Sequence, residues 1–218
     1  MRTQFNFDDW IFPLVEGRLR TLTEFGEDLE RWADDDAARF RKSIDESAKD
    51  IVDDSERSNF YEWHIDTLNQ YEEQYPQLGR ELVLVKANFL LEAELKALAG
   101  WVERKRSIPG LSVFKHGKPS NSEIGFAVDY LEHNGVAVAR GDAWTDIEAI
   151  RIMRNAIVHS DCSMSEEKFH AVRASRLHDL VDLKYGRLRL HRPLHNQVVR
   201  PVLEFFESAE RAIYGAEV

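Results

Sequence analysis

The chain has 218 residues, room for one large domain, and its 43% hydrophobic content with 12 Phe and 5 Trp supplies a core and excludes a disordered chain. One cysteine excludes an intrachain disulfide, and no run approaches the roughly 20 apolar residues of a membrane span. Residues 1–9 turn acidic where a secretory signal needs an apolar run. Together these features predict a cytoplasmic protein without membrane association.

The net charge of −10 is concentrated in the N-terminal third. Residues 1–75 contain 20 Asp/Glu and 9 Lys/Arg, whereas the remainder is close to neutral. An acidic chain of this kind is a poor match to a protein that coats DNA. Because the remainder is not repelled from phosphate by its own charge, capture of a few phosphates in a local cleft stays allowed.

Two helices are predicted in the acidic third. Apolar residues recur at helical spacing from Pro13 to about Asp54, and a second helical pattern covers about Ser55 to Tyr75. Pro13 suits the first turn of a helix, because an N–H at that position has no intrahelical partner anyway. We expect residues 1–75 to form an acidic helical extension, a long hairpin packed on the rest of the chain.

The strongest helical pattern runs from Pro76 to about Arg106 and is apolar on most sides, which is typical of a helix central to a bundle. Glu92 lies inside this run. It is either a buried carboxylate that needs a partner or an exposed residue on the polar edge. The segment that follows, to Asn121, is rich in Lys, Gly, Pro and Ser and predicts a loop.

Five further elements are predicted toward the C-terminus, and residues 76–218 are expected to form one helical domain. In order, they are a helix over 122–133, a helix that begins at the Thr145–Glu148 capping-box pattern and ends near Asp161, a short helix over 165–176, a small hairpin within 177–190, and an amphipathic helix from Pro193 to about Tyr214. The predicted class is therefore all-α, a helical bundle with a long N-terminal hairpin and a minor β-hairpin.

The segment from Arg154 to His159 carries the residues best suited to chemistry. Asn155 and His159 are four residues apart and share a helix face, whereas Arg154 and His159 lie about 140° apart around an ideal helix. Arg154 and His159 meet one phosphate only if the helix frays, if the long arginine reaches around, or if a symmetric dimer completes the site. Spacing alone favours a structural role, with His159 as a helix C-cap.

The run Ile150–Asp161 resembles the signature of the HEPN superfamily, in which Arg, a polar residue that is often Asn, a few mostly apolar residues and His follow one another on a late helix. The upstream run Phe89–Leu95 is similar to the Phe-x-x-Glu-x-x-Leu pattern of the long helix in the same families. The intervening and closing helices also fall in family order, so the resemblance covers roughly residues 76–214. It implies a HEPN-like bundle that cleaves RNA without metal or other cofactor.

The resemblance implies a catalytic set of Arg154, Asn155 and His159. Histidine, with a pKa of about 6.5, suits the base that takes the proton of the ribose 2′-hydroxyl. The arginine guanidinium suits the charge that develops on the phosphate. Asn155 would orient His159 or bind a phosphate oxygen, and Glu92, if it faces the pocket, would pair with Arg154 and aim it.

A basic segment from Lys184 to Arg200 contains no acidic residue and has two interpretations. It guides the RNA backbone toward the site, or it is the basic rim of a hairpin that faces the acidic N-terminal helices. On the first interpretation, the RNA-binding candidates are Arg151, Lys184, Arg187, Arg189 and Arg192.

Two other features predict no chemistry. His191 and His195 have the spacing of a zinc helix, but the Glu of hydrolytic zinc motifs and a supporting Cys pair are missing, so no metal is expected. Cys162 has no neighbouring base in a nucleophile pattern and is interpreted as a passive thiol.

The sequence as a whole predicts a metal-independent endoribonuclease that acts on RNA as a homodimer. Because such domains in bacteria serve as toxins or in anti-phage defence, the resemblance implies the same setting here, with an antitoxin or regulatory protein as a further partner. Two alternatives stay open. One is a non-catalytic RNA- or nucleotide-binding module of the same fold, and the other is a protein-interaction subunit whose acidic hairpin holds a basic partner.

Overall fold

The computed structural model describes residues 11–116, 122–138 and 140–214; the first ten residues and part of the predicted loop before Ser122 lie outside the described residues. The fold is all-α with one two-stranded antiparallel sheet, so the predicted fold class is confirmed. None of the helices in these ranges is long and apolar enough to cross a membrane. The elements are α1 (Ile11–Ala48), α2 (Asp54–Asn69), a π-helical turn (Gln70–Gln74), α3 (Tyr75–Arg106), α4 (Leu111–Lys115), α5 (Glu123–His133), α6 (Asp142–Ser160), α7 (Glu166–Arg173), a 3₁₀ turn (His178–Leu180), β1 (Val181–Lys184), β2 (Arg187–Leu190) and α8 (Leu194–Tyr214).

Helix α3 is the centre of the bundle, as its apolar pattern predicts. Leu84, Leu91, Leu95 and Leu98 are fully buried, and the helix packs against α1, α5, α6 and α8. Four neighbours around one helix explain why it is apolar on most sides, whereas a surface helix needs a single apolar stripe.

The first half of α1 belongs to the same core. Val15, Leu19 and Leu22 recur every three or four residues and are buried in one cluster with residues of α3, α6 and α8. The acidic residues of α1 lie between these positions, which lets one helix be both acidic and well packed.

A new helix does not begin at Pro76, contrary to the sequence-based expectation, because α2 continues into α3 through the π-helical turn. In this turn Tyr75 donates its backbone N–H to the carbonyl of Gln70, five residues earlier. A proline ring collides with the carbonyl four residues before it in a regular α-helix, and the wider turn relieves that collision. Helices α2 and α3 therefore form one continuous rod.

Helix α2 and the second half of α1 form the predicted acidic hairpin. The two helices are held together by contacts between side chains that are not fully buried. No residue of α2 is buried. The ring of Phe40 in α1 contacts His64 and Tyr71, and Tyr61 donates a hydrogen bond to Asp45. At the same time Trp63 is 87% exposed, so this end of the molecule has little core of its own.

Helix α6, which carries the Arg154–His159 segment, begins at Asp142 rather than at the predicted capping box. Its N-cap residue is Gly141, and Thr145 lies inside the first turn. Glu148 bonds to Arg151 instead of reaching back to the cap. The helix ends as predicted, because Asp161 is left-handed (φ 47°) and donates its N–H to Ala156.

The predicted β-hairpin is confirmed, and it braces the C-terminal end of α6. Tyr185 and Gly186 connect β1 to β2, and both have positive φ, as the tightest hairpin turns require. Leu188 donates its N–H to the carbonyl of Cys162 at 2.8 Å, and Met164 donates to the carbonyl of Gly186 at 3.1 Å. The chain just after α6 is therefore hydrogen-bonded to the turn of the hairpin and to β2.

A buried ion pair connects the acidic helix to the hairpin. Arg80 of α3 forms two hydrogen bonds to the carboxylate of Glu30 in α1, at 2.5 and 2.9 Å, and a third to the carbonyl of Leu190 at 2.8 Å. The Glu30 carboxylate also bonds to Arg192, which holds Asp34 as well. Three elements thus meet at one carboxylate whose charge is compensated.

Candidate active site

The last two turns of α6 bring the three predicted catalytic residues together. The Nη1 atom of Arg154 lies 3.1 Å from Nε2 of His159 and donates to Oδ1 of Asn155 at 2.9 Å. His159 is exposed, and Arg154 and Asn155 are half-buried. A permanently charged donor, an amide and a titratable base thus share one small surface.

Of the three ways in which Arg154 and His159 could meet, the structure has the second, because Arg154 reaches His159 around an intact helix. Helix α6 continues to Ser160, so fraying at His159 does not bring them together. The guanidinium of Arg154 lies 5.0 Å from the centroid of the Phe89 ring on α3, and its Nε atom is buried without a hydrogen-bond partner. Because the ring supports the long side chain, the contact forms within a single chain and needs no second subunit.

A polar cavity of about 320 Å³ opens beside these residues. It is lined by Asn155 and His159, by Ser160 and Ser163 at the end of the helix, and by Lys168 of α7. Lys168 forms no ion pair with the described residues, so its charge is available to an anion in the cavity. The cavity thus has a histidine and a lysine in its walls, and the histidine contacts Arg154.

Lys168 is the site residue that the sequence analysis missed. It lies in the first turn of α7, whose N-cap Ser165 accepts a hydrogen bond from the Lys168 backbone N–H. Only the return of the chain after α6 brings this lysine to the cavity. Its position nine residues after His159 carries no local signal of that return.

Glu92 does not support Arg154 in the structure, contrary to the expectation from the resemblance. Its carboxylate bonds to Lys96, one turn further along α3, at 2.8 Å, and Lys96 also pairs with Glu123 at 3.1 Å. The buried carboxylate of this region is Glu94, which pairs with Arg18 of α1. Arg154 is instead supported by Phe89, one turn before Glu92, through its ring rather than through a charge.

Three of the five RNA-binding candidates are held by acidic side chains. Arg151 pairs with Glu148 at 2.6 Å, Arg187 with Asp161 at 2.9 Å, and Arg192 with the acidic helix α1. For Arg192 the structure favours the second interpretation, a basic rim that faces the N-terminal helices.

The other two candidates, Lys184 and Arg189, line a separate cavity of about 290 Å³ together with acidic residues of the α2–α3 rod and of β1. A cavity of mixed charge repels an RNA backbone through its carboxylates, so this cavity is less suited to phosphate than the one beside His159.

The remaining histidines and the cysteine singled out in the sequence lie in surroundings that suit a structural role. His191 bonds to Asp182 at 2.9 Å, whereas His195 is buried, and burial lowers the pKa of its imidazole. The described residues contain no group of three or more His, Cys, Asp or Glu side chains that could hold a metal ion. Burial, assisted by the nearby Glu81 carboxylate, raises the pKa of the Cys162 thiol to about 11 and keeps it protonated.

Comparisons with protein-family models, with curated proteins and with solved structures found no match for this chain. The functional argument therefore depends on the geometry around Arg154 and His159 and on the chemistry that these side chains can perform.

Proposed function

We propose that this protein is a metal-independent endoribonuclease. The observation that supports the proposal is the contact of the Arg154 guanidinium with Nε2 of His159, a residue that lines the polar cavity. A guanidinium only donates hydrogen bonds, so Nε2 of His159 is the acceptor in this contact. This ring atom therefore carries the lone pair that a general base needs.

In the proposed reaction the substrate phosphate draws Arg154 away from His159. Nε2 of His159 then takes the proton of the ribose 2′-hydroxyl, and the 2′ oxygen attacks the adjacent phosphorus. The bond from phosphorus to the 5′ oxygen breaks, and this oxygen takes a proton from water. The hydroxide that remains takes the proton held by His159, which restores the neutral imidazole. The products are a 2′,3′-cyclic phosphate and a free 5′-hydroxyl.

The cationic groups stabilise the charge that develops on the phosphate. Arg154 binds two of its oxygens with the planar fork of its guanidinium, and Asn155 holds that fork by accepting one N–H. Lys168, which also lines the cavity, binds the phosphate as a point charge.

The test is cleavage of single-stranded RNA by the purified chain in excess EDTA, with the product ends identified by mass spectrometry. Arg154→Ala and His159→Ala are expected to lower the rate at least about a hundredfold, because each removes a group needed in the transition state. Arg173→Ala and His170→Ala, exposed residues on the neighbouring α7, are matched controls that should keep full activity. Activity that is lost in EDTA and restored by a divalent ion contradicts the proposal.

The same experiment distinguishes the proposed endoribonuclease from a module that binds RNA without cleaving it. An RNA that binds with an affinity dependent on Arg154 but is never cut identifies the cavity as a nucleotide site only. RNA that neither binds nor is cut leaves the protein-interaction subunit as the surviving alternative.

We further propose that the active form is a cytoplasmic homodimer that serves as a toxin or defence effector, with an antitoxin or other regulatory protein as its partner. The resemblance in sequence supports this setting. Since Arg154 and His159 already meet in one chain, the dimer is not required to assemble the motif. Light scattering at micromolar concentration measures the state directly, and a monomer with full activity contradicts the dimer without affecting the catalytic proposal.

A further inference from the structure

An apolar groove lies on the surface between α1 and α3 and has a volume of about 850 Å³. Its walls include Leu14 and Phe25 from α1 and Leu82 and Leu90 from α3. Leu14 is 48% exposed and Leu82 is 52% exposed, although each belongs to a helix that buries another face in the core. These apolar side chains are exposed next to one another along a groove rather than scattered singly, and a partner that covers them removes their apolar surface from water.

The dimensions of the groove fit an α-helix. Its α1 wall runs from Pro13 to Phe25, which at 1.5 Å per residue is about 18 Å, or three helical turns. Gly17 lies midway along this wall, and a Cβ atom added there would meet nothing within 4 Å. The missing side chain leaves a gap in the wall, into which a large side chain of a partner fits.

The charges around the groove indicate which charge a bound helix should carry. Among the residues that the structure describes, no acidic side chain lines the groove, although acidic residues outnumber basic ones 39 to 29 in the chain. The charged residues that do line it are Arg18 and Lys86. Arg18 already holds Glu94, whereas Lys86 is exposed and forms no ion pair with residues in the described ranges. A cation beside an apolar groove is complementary to a carboxylate on an otherwise apolar helix face.

We propose that this groove binds an amphipathic α-helix of a partner protein, with apolar residues at i, i+3 or i+4, and i+7 and with Asp or Glu on the flank that faces Lys86. Apolar anchors fill the space between α1 and α3, and the acidic flank pairs with Lys86 and fixes the register. The proposal is independent of RNA cleavage, because none of the residues in this interface belongs to the proposed catalytic set.

The test is a selection of helical peptides that bind to the full-length chain. The probe is a display library of amphipathic peptides of about 18 residues, with leucines fixed on one face and the flanking positions randomised. Peptides that also bind the Leu82→Glu variant are removed. Acidic residues are expected to be enriched at one flank, and a selected peptide should lose at least about tenfold in affinity for Leu82→Glu in fluorescence anisotropy.

A charge reversal makes the test specific to Lys86. Lys86→Glu should weaken the acidic peptide and strengthen a copy in which the flank carries Lys instead. Val113→Glu, on α4 outside the groove and also highly exposed, should leave both affinities unchanged. Circular dichroism of each variant confirms that the helical fold is intact.

Four results overturn the proposal. The first is the absence of any peptide whose binding depends on Leu82, and the second is binding without an acidic preference. The third is a self-association in light scattering that Leu82→Glu abolishes, since the occupant is then a second copy of this chain. Dodecanoate that displaces every selected peptide at lower concentration identifies a small amphiphile as the ligand and likewise contradicts a helical partner.

Discussion

Besides its hydrogen bond to Asn155, Arg154 is held beside His159 by an aromatic side chain of another helix, Phe89. The guanidinium lies over the Phe89 ring, and its Nε atom has no other partner. Phe89→Ala should therefore lower RNA cleavage about three- to tenfold, the range expected for loss of a partly exposed cation–π contact. Phe89→Tyr keeps the ring and should restore the rate.

Single-turnover kinetics of Phe89→Ala and Phe89→Tyr distinguish a change in the position of Arg154 from a change in the stability of the protein. A tyrosine variant as slow as the alanine variant would show that the ring does not support the guanidinium.

Lys168 should determine RNA affinity more than the chemical step. We expect Lys168→Gln to weaken RNA binding about tenfold and to lower the slope of log affinity against log salt by about one. The matched control is Lys184→Gln, an exposed lysine in the cavity of mixed charge. Filter binding over a salt series measures both, and equal effects of the two substitutions would mean that neither cavity is the phosphate site.

At the residue level, sequence reasoning could find the motif but not its supports. Asn155 and His159 share a helix face through their spacing, whereas the contact of Arg154 with His159 was only one of three possibilities, because it depends on how the long side chain is held. Phe89 and Lys168 reach the motif from α3 and α7, and such contacts depend on how helices pack. Glu92 was expected to pair with Arg154, but a lysine one turn away on its own helix binds its carboxylate.

The packing of α8 against α1 depends on a glycine. A Cβ atom at Gly26 would lie 2.7 Å from Cβ of His195 and 3.3 Å from a methyl group of Val83. Gly26→Ala should therefore lower the free energy of unfolding by about 1–3 kcal/mol, because α8 must move away from α1.

Gly17 on the same helix is the matched control for this substitution. An added Cβ atom meets nothing within 4 Å there, so Gly17→Ala should raise the free energy of unfolding by about 0.5–1 kcal/mol through helix propensity. Urea unfolding of both variants checks the pair, and a Gly26→Ala protein as stable as Gly17→Ala would contradict the close approach.

At the level of elements, periodicity predicts most helices, but their boundaries depend on other interactions. The apolar stripes of α1, α5 and α8 are sufficient to place these helices near their observed ends. Pro76 was expected to begin a helix, yet a π-helical turn accommodates it inside the rod. Thr145 has a capping-box pattern, but the helix begins one turn earlier, where Gly141 is the N-cap. In both cases a local signal is overridden by a favourable continuation of the helix.

For the whole molecule, acid should destabilise the fold through His195. This histidine is buried between α1, α3 and α8, and burial lowers the pKa of its imidazole, although Glu30 and Glu27 act in the opposite direction. In the unfolded chain the imidazole takes up a proton near pH 6.5, whereas the folded chain resists protonation. The contribution of His195 is thus fully present above pH 6.5 and is lost as the pH falls below it.

Thermal unfolding between pH 5 and 8 measures this effect, with His195→Met as the comparison because methionine fills a similar volume without titrating. The wild-type midpoint should fall more steeply than that of the variant below pH 6.5. Parallel curves would show that carboxylates such as Glu30, rather than His195, determine the acid limit.

The rate at which a thiol reagent modifies the single cysteine can report on the proposed active site. Cys162 directly follows the left-handed residue that ends α6, its carbonyl is bonded to β2, and its thiol is buried with a pKa of about 11. A thiol reagent can therefore modify this position only during transient openings that detach the end of α6 from the hairpin. The modification rate of Cys162 is therefore compared with and without an uncleavable RNA analogue. The difference measures how strongly an occupied cavity keeps the last turn of α6, which carries His159, attached to the hairpin. No engineered label is needed, because the chain contains no other thiol.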